Sequence, residues 1–376
     1  MTQLSDVRDD LQPGRLQARV GVLHAGRPRR SMNPVKDLGK RLCRDGTARP
    51  HRKWCRQKRF GRAGAGLGRA LLLGCACAWA GLPVQAAQAS SLGERMLARG
   101  VPKNAVVLPF ASSESIAAFA RKHTESGSSA SEKAMALYQA ILKLKSRGAI
   151  EADKVNEPKA RAPKTASELM TLALEPDAER NREAGCYELS ALYVAAARAV
   201  GLQAKGAARR RPVGTGQIGH IAAAVRADAD APWRIYDLQN ERRRTHGFRI
   251  LDDLSFAAHH YNHLAVSAHL RGAPRKALRY VDWAVSLAPE EPSMANNRAI
   301  ILASLGELDG AVAEAAGAVA MAPRVPVYRY QLGRLQMQVG RLQAAVASLR
   351  AARQLETGYP LATRDLGWAL LLLGQD

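Results

Sequence analysis

The sequence predicts two successive domains of different class: an α+β domain over about 90–250 and an all-α solenoid of paired helices over 258–376. Three observations lead to this prediction. Between about 185 and 238 the apolar residues first follow a helical period and then a period of two, which indicates a helix followed by strands. In the last third, small residues and prolines recur every 34 residues, which indicates a repeat. An uncharged segment at 70–82 separates a basic leader from both domains.

The leader, residues 1–69, carries more than half of the excess positive charge. The whole chain has 56 Lys and Arg residues against 33 Asp and Glu, and the leader holds 18 of the bases but only five Asp and no Glu. We expect it to be absent from the mature protein. Because the charge is concentrated there and the remainder shows no motif of a nucleic-acid-reading fold, nucleic acid is not an expected partner.

The segment 70–89 is typical of the hydrophobic and cleavage regions of a secretory signal. Its 13 uncharged residues are fewer than the roughly 20 that span a membrane, and small residues suited to cleavage follow at Ala86 and Ala89. A lipobox-like sequence ending at Cys75 leaves acylation open as a second route, although only about four solidly apolar residues precede it, against the 7–15 of most signals. Either route predicts export to the periplasm or cell envelope, and acylation of Cys75 would add membrane association.

Cysteine usage downstream of this segment is minimal. Four of the five cysteines lie in the leader or the apolar segment, so Cys186 is alone in the expected mature chain. One cysteine forms no internal disulfide and no thiolate metal cluster. We expect no metal, and no motif in the sequence indicates a cofactor.

Two helices with the same start signal precede Cys186. Ser129 to Glu132 and Thr165 to Glu168 both have capping-box spacing ahead of apolar residues. The stretch 146–164 between them is charged and contains two prolines, which predicts a mobile surface loop.

Cys186 is expected in the first turn of a third helix. Leu189, Leu192, Tyr193, Ala196 and Val200 form one helical stripe, and glycines at 185 and 201 mark its entry and its end. Unpaired backbone N–H groups in that turn would suit an oxyanion next to the sulfur.

The next two segments read as strands that carry a histidine and an aspartate. Residues 218–225 include His220, and residues 233–238 include Asp237, with a turn between them. A cysteine at a helix start, a histidine on one strand and an aspartate on its neighbour can converge as nucleophile, base and orienting group.

These residues resemble the core of the transglutaminase-like superfamily, papain-type cysteine enzymes, over about 130–245. Gly185-Cys186, Gly219-His220-Ile221 and Tyr236-Asp237 carry the resemblance. It implies that Cys186 is a nucleophile forming a thioester, that His220 takes its proton, and that Asp237 fixes the imidazole tautomer. It also implies hydrolysis of, or acyl transfer from, an amide of a peptide or protein substrate in the bacterial envelope.

Several alternatives stay open at this stage. Family members commonly have a residue between Gly and Cys and a Trp after the Cys, whereas here Gly185 abuts Cys186 and Tyr187 follows, so the side chain of the oxyanion hole is unidentified. Asp228, Asp230 and Asn240 are alternative partners for His220. A different hypothesis is a non-catalytic binding scaffold whose transglutaminase-like domain has become a recognition module.

The repeat region has six matching columns at a spacing of 34. The spacing resembles that of the tetratricopeptide repeat over roughly 258–376, as three helix pairs and one further helix. Proline opens each first helix, glycine ends it, and small Ala residues allow close packing of the second helix. The columns include Gly272, Gly306, Gly340 and Gly374; Ala277, Ala311 and Ala345; Ala284, Ala318 and Ala352; and Pro292, Pro326 and Pro360.

The resemblance implies a groove that binds a protein partner. We expect the groove to be rich in hydrogen-bonding groups and to favour a polar or acidic ligand. The groups expected there are Asn262, His269, Asn296, Asn297, Arg298, Tyr330, Arg334 and Gln338.

Three further features have simple interpretations. The last helix is apolar nearly all round, and its stripe of Leu366, Trp368, Leu370 and Leu373 predicts self-association as a homo-oligomer or continuation into a capping helix. The histidines at 259, 260, 263 and 269 predict a polar helix face and not a zinc site. Arg209-Arg210-Arg211 reads as a solvated loop, with a cleft-lining role as the alternative.

Overall fold

A computed structural model describes residues 91–125, 127–152, 160–175, 182–209, 220–244 and 247–374. The leader, the apolar segment, both processing sites with Cys75, and Arg210 and Arg211 lie outside these residues. Within them, no helix combines the length and the apolar character needed to cross a bilayer.

Five helices precede the five strands of a sheet in the first part of the described chain, and a separate two-stranded pair lies among the helices. The helices there are α1 (Leu92–Ala98), α2 (Glu114–His123), α3 (Ala130–Ser146), α4 (Ala166–Leu174) and α5 (Cys186–Ala199). The strands are β1 (Glu151–Ala152), β2 (Glu183–Ala184), β3 (Gln203–Arg209), β4 (Ile221–Arg226), β5 (Arg234–Asp237), β6 (Arg242–Arg244) and β7 (Phe248–Ile250). This mixture of helices and antiparallel strands has the α+β character that the sequence predicts.

The two capping boxes form as predicted. In α3, Ser129 accepts a hydrogen bond from Glu132 N at 3.3 Å, and its own N–H donates to the Glu132 carboxylate at 2.7 Å. In α4, Thr165 and Glu168 make the same reciprocal pair at 3.3 and 2.7 Å. These local bonds satisfy N–H groups that the helix itself leaves unpaired, which is why both starts are readable from sequence.

Helix α5 is the centre of the first core. Every residue from Tyr187 to Ala197 is buried, as expected for a helix enclosed on all sides. It packs against β3 and β4 on one side and against α2, α3 and α4 on the others. The end of α5 also follows the prediction, since Gly201 adopts a left-handed φ of 80°.

Five strands form one antiparallel sheet in the order β6-β5-β4-β3-β7, and β1 pairs separately with β2 in parallel. Strands β4 and β5 correspond to the predicted segments 218–225 and 233–238, with bounds shifted by up to three residues. Strand β3 was not predicted. Its sequence, Gln203 to Arg209, has no β-branched or aromatic residue, so it lacks the usual local signal.

The last part of the chain is a stack of helix pairs with the predicted period. Glycines 272, 306, 340 and 374 follow each first helix with φ of 72, 83, 73 and 68°. Prolines 292, 326 and 360 open helices as predicted. The helices are α6 (Asp253–Leu270), α7 (Pro274–Leu287), α8 (Pro292–Ser304), α9 (Leu308–Met321), α10 (Pro326–Gln338), α11 (Leu342–Leu355) and α12 (Pro360–Leu372).

Small residues make this stack tight. Ala277, Ala311 and Ala345 are fully buried between helices, as are their counterparts at 284, 318 and 352. A methyl group at Gly333 in α10 would lie only 2.7 Å from Cγ of Leu349 in α11. The absence of a side chain at 333 therefore sets how closely these two helices approach.

Helix α6 begins at Asp253, five residues before the boundary suggested by the 34-residue period. Asp252 caps it by accepting a hydrogen bond from Ser255 N at 2.7 Å. Phe256, near its start, lies so close to Gly206 of β3 that a Cβ there would approach the ring to 2.5 Å. The first helix of the array is thus also a packing partner of the sheet.

The exposed apolar residues of α12 are not the four that the sequence predicts. Leu366 is buried, and Leu370 and Leu373 pack against the preceding repeat. The side chains that remain exposed are Leu361, Trp368, Leu371 and Leu372. The preceding helix pair covers one side of α12, which the helical period by itself does not reveal.

Candidate active site

Cys186 is the first residue of α5, as predicted. The chain reaches it from β2 through Gly185, whose backbone is extended with φ −88° and ψ −179°. The thiol is free and partly buried. Because the first turn of a helix has no intrahelical acceptor for its N–H groups, donors lie beside the sulfur.

His220 and Asp237 come together across the pair of antiparallel strands β4 and β5. His220 immediately precedes β4, and Asp237 is the last residue of β5; Ala223 is paired with Tyr236 in the register. Nε2 of His220 lies 2.8 Å from Oδ2 of Asp237. The carboxylate side chain is fully buried, and the imidazole is 8% exposed.

The thiol of Cys186 completes the group. Its side chain lies close enough to the His220 ring to raise the pKa of the imidazole. Ser190, one turn further along α5, donates to Cys186 O at 2.6 Å and reaches Ile221 O at 3.4 Å, so it links the cysteine helix to the strand that follows His220. The structure thus brings together all three residues singled out in the sequence.

Of the alternative partners for His220, one lies at the site. Asn240 donates through Nδ2 to Oδ2 of Asp237 at 3.0 Å, and this nitrogen is 3.2 Å from His220 Nε2. Its backbone N–H donates to Oδ1 of Asp237 at 3.1 Å. Asp228 instead accepts bonds from the backbone of its own exposed turn. Asn240 therefore supports Asp237 and does not replace it.

The surroundings perturb both members of the His220–Asp237 pair. Burial lowers the pKa of His220, but the hydrogen bonds with Asp237 and Cys186 outweigh burial and raise it to about 9. Burial raises the pKa of Asp237, yet the bonds from His220 and Asn240 bring the net pKa below its usual value. The pair is therefore arranged to hold a proton on the imidazole and a negative charge on the carboxylate.

A buried ion pair that the sequence analysis missed anchors the start of α5. Glu188 accepts from Nη1 and Nη2 of Arg161 at 2.6 and 2.7 Å, from Lys164 N at 2.8 Å and from Gly185 N at 2.7 Å. Burial raises the pKa of Glu188, but the Arg161 guanidinium and these N–H groups lower it overall. A Glu three residues after Gly185 is the available sequence signal, since this is the capping-box position.

This ion pair corrects the prediction of a mobile loop at 146–164. At one end of that stretch β1 pairs with β2, directly before Cys186. At the other, Arg161 and Lys164 bind Glu188, and Ala160 O accepts bonds of 2.7 Å from both Ser267 and Arg271 of α6. The described ends of the stretch are fixed by partners remote in sequence.

The prediction of a polar histidine face is wrong for His259 and His260, whereas His263 is exposed and His269 is half-buried. His259 and His260 are each 3% exposed, because α6 is covered by the sheet and by α7. Burial, together with His263, lowers the pKa of His259 to about 3 and that of His260 to about 4. No cluster of three or more His, Cys, Asp or Glu suited to a metal occurs in the described ranges.

Most of the groups expected to line the groove are already engaged within the array. Asn262 and Asn296 are buried, and Asn262 accepts from Asn297 at 2.9 Å. Arg298 pairs with Asp282 and Glu314. Tyr330 is buried and donates to Asp365 at 3.0 Å. The 34-residue period identified the helices, but it did not show which polar residues form hydrogen bonds and ion pairs between them.

Comparisons with known proteins give matches to solved structures alone. No protein-family model matches the sequence, and no curated protein matches it. The solved structures that match include several tetratricopeptide domains with TM-scores of 0.31. They include the first such domain of human RPAP3 (18% identity, 32% of this chain, 94% of that chain), the Sgt2 domain from Aspergillus fumigatus (19%, 31%, 80%) and the Arabidopsis OM64 domain (18%, 32%, 98%).

Proposed function

We propose that the chain is a transglutaminase-like cysteine enzyme that acts on amide bonds of a peptide or protein. The observation that carries the proposal is the contact series from Cys186 to His220 to Asp237. Its members come from a helix start and two adjacent strands, in the order that the resemblance implies. A fully buried Asp bonded to an imidazole that lies beside a helix-start thiol supports the assignment of Cys186 as an activated nucleophile.

The reaction follows from these contacts. The proton of Cys186 rests on the free ring nitrogen of His220, and the thiolate forms a bond to the amide carbonyl carbon. The carbonyl π bond opens toward oxygen, and first-turn N–H groups of α5 receive the developing oxyanion. The tetrahedral intermediate breaks the C–N bond, and His220 donates its proton to the departing amine. A thioester remains on Cys186. Water or an amine then attacks it, His220 takes the proton of the attacking group, and the thiol is restored.

The helical array supports a second, compatible role in binding a protein partner. Stacked helix pairs present an extended surface suited to a peptide or a partner helix. Because Asp282 and Glu314 already match the charge of Arg298, we favour a polar ligand over an acidic one. This role alone, without chemistry at Cys186, is the scaffold alternative.

The proposed place of action is the periplasm or cell envelope, and it rests on the signal-like segment at 70–89. The N-terminal residue of protein recovered from the envelope tests it. A terminus near 87–90 supports cleavage, a lipid-bearing Cys75 supports acylation, and retention of the basic leader contradicts export.

The exposed Trp368, Leu371 and Leu372 keep self-association as a further proposal, for which sedimentation of wild type and Trp368→Glu is the test.

The catalytic proposal is tested by the alkylation rate of Cys186 with iodoacetamide at pH 6, followed on the Cys186 peptide by mass spectrometry. A free thiol with a pKa of about 8.5 is almost wholly protonated at this pH. We expect wild type to react roughly tenfold or more faster than His220→Ala. His123→Ala, which removes a histidine from α2, is the matched control and should react like wild type.

An equal rate in wild type and His220→Ala would contradict the proposal. Cys186→Ala should keep the fold and lose both alkylation at this peptide and any amide hydrolysis or amine incorporation. Hydrolysis that persists in Cys186→Ala would contradict the nucleophilic role directly.

A further inference from the structure

The turn that follows β5 has an unusual backbone. It runs from Leu238 to Glu241 and connects β5 to β6. Glu241 has φ +55°, the one positive φ at a non-glycine residue within the described part of the chain. A left-handed conformation is unfavourable for a residue with a side chain, and such residues persist where the surroundings hold them.

Lys145, from the last turn of α3, holds this turn. Its Nζ donates to Leu238 O at 2.7 Å and to Oε1 of Glu241 at 2.9 Å. The bonds span the two ends of the turn and join residues 93 and 96 positions apart in sequence. The Lys145 side chain is only 8% exposed, whereas that of Glu241 is 60% exposed. Burying the lysine is therefore linked to a specific pair of acceptors.

This turn also fixes the position of Asp237, the carboxylate of the candidate site. Asn240 lies between the two anchor points and bonds both oxygens of Asp237, at 3.1 and 3.0 Å. Oδ2 of Asp237 lies 2.8 Å from Nε2 of His220. The contacts thus run without a gap from Lys145 through the turn and Asn240 to Asp237, and from there to the imidazole.

We propose that Lys145 is a positioning residue for the reaction at Cys186, acting by clamping the 238–241 turn so that Asn240 and Asp237 are aligned on His220. The inference rests on the proposed function. Lys145 does not touch the reacting atoms, and its effect passes through the turn.

A second lysine on the same helix provides a matched control. Lys143 is exposed and, like Lys145, lies in the last turn of α3. Both line an open cleft of about 640 Å³ that the Gln239 and Glu241 side of the turn also borders. Replacing Lys143 therefore removes the same charge from the same helix end and the same cleft but leaves the clamp intact.

The experiment compares full-length wild type with Lys145→Met, Lys145→Arg and Lys143→Met. Two readouts are used: the titration of His220 by NMR of labelled histidine, assigned through its loss in His220→Ala, and the pH profile of Cys186 alkylation. Thermal unfolding shows that each variant is folded under the conditions used. We expect Lys145→Met to move the His220 pKa from about 9 toward its ordinary value and to reduce alkylation at pH 6 several-fold.

Lys143→Met should match wild type in both readouts, and Lys145→Arg should recover part of the loss because it can still donate to both acceptors. An unchanged His220 titration and pH profile in folded Lys145→Met would overturn the positioning role, as would an equal loss in Lys143→Met, which would assign the effect to cleft charge. If Lys145→Met is unfolded, Lys145→Gln replaces it, because this shorter side chain cannot donate to both acceptors. An unchanged His220 titration and pH profile in folded Lys145→Gln contradicts the proposal. If the His220 pKa is not elevated in wild type, the proposed function itself is contradicted. Failure of the proposed function is therefore distinguishable from failure of the positioning role of Lys145.

Discussion

At the scale of single residues, the candidate site is a hierarchy of contacts around His220. Asp237 makes the short bond to the ring and is fully buried, while Asn240 acts mainly on Asp237. Glu188 and Ser190 hold the start of α5, where Cys186 lies. Removing the charge that directly faces the ring should therefore matter more than removing the amide that supports it.

We predict that Asp237→Asn lowers the alkylation rate of Cys186 at pH 6 roughly tenfold or more, since one pKa unit of His220 corresponds to about 1.4 kcal/mol. Asn240→Ala should lower the same rate by a smaller factor of several-fold, because it removes one hydrogen bond of about 1 kcal/mol. The same mass-spectrometric rate measurement checks both. A larger loss in Asn240→Ala than in Asp237→Asn would make Asn240 the principal partner of the imidazole.

At the scale of elements, close approach between neighbours decides what each position tolerates. Gly333 of α10 faces Leu349 of α11, and Gly206 of β3 faces Phe256 of α6. Gly317 of α9 has no heavy atom within 4 Å of the place where a Cβ would be. All three are glycines within regular elements, so their sequence context does not distinguish them.

We predict opposite effects of the same substitution at two of these positions. Gly333→Ala should reduce the free energy of unfolding by about 1–3 kcal/mol, because the new methyl group forces α10 and α11 apart. Gly317→Ala should increase it by about 0.5–1 kcal/mol, because alanine restricts the unfolded chain and meets no neighbour. Urea unfolding followed by circular dichroism measures both, and stabilisation by Gly333→Ala would contradict the packing of this helix pair.

At the scale of the whole molecule, buried titratable groups set the pH range of stability. The charges of His263 and Arg249 act on His259, and those of His263, Glu168 and Glu188 act on His260. Both histidines have a folded pKa of about 3 or 4, below the 6.5 of an exposed imidazole. The unfolded chain thus binds more protons between these values, and stability falls as the pH drops from about 6.5 toward 4. The lowered pKa of Glu188 adds a loss below its ordinary range.

His220 acts in the opposite sense. Its folded pKa of about 9 means that the folded chain binds the extra proton above pH 6.5, so this contribution is lost as the pH rises through 9. We predict maximal stability near neutral pH, measured by urea unfolding between pH 4.5 and 9.5. His259→Leu should weaken the fall in the free energy of unfolding at acid pH, and His220→Ala should weaken the fall at alkaline pH. An unchanged fall at acid pH in His259→Leu would rule out this histidine as its cause.

Local signals in the sequence were sufficient for the two capping-box helix starts, for the helix ends marked by glycine and for the repeat. Capping boxes, prolines and glycines act through bonds and backbone angles within four residues, and the 34-residue period is a property of the chain itself. The same reasoning placed Cys186 in the first turn of α5. It also placed His220 and Asp237 on neighbouring strands, because a short turn between strands favours antiparallel pairing.

The tertiary structure alone decided which remote groups meet. Strand β3 has no local signature and forms because β4 and β7 pair with it on either side. The choice of Asp237 as the partner of the imidazole, the Arg161–Glu188 pair and the Lys145 clamp join residues 17 to 96 positions apart. The burial of His259 and His260 likewise depends on what covers α6. Each of these is set by the packing of whole elements, whose energy lies in long-range contacts that no short window of sequence contains.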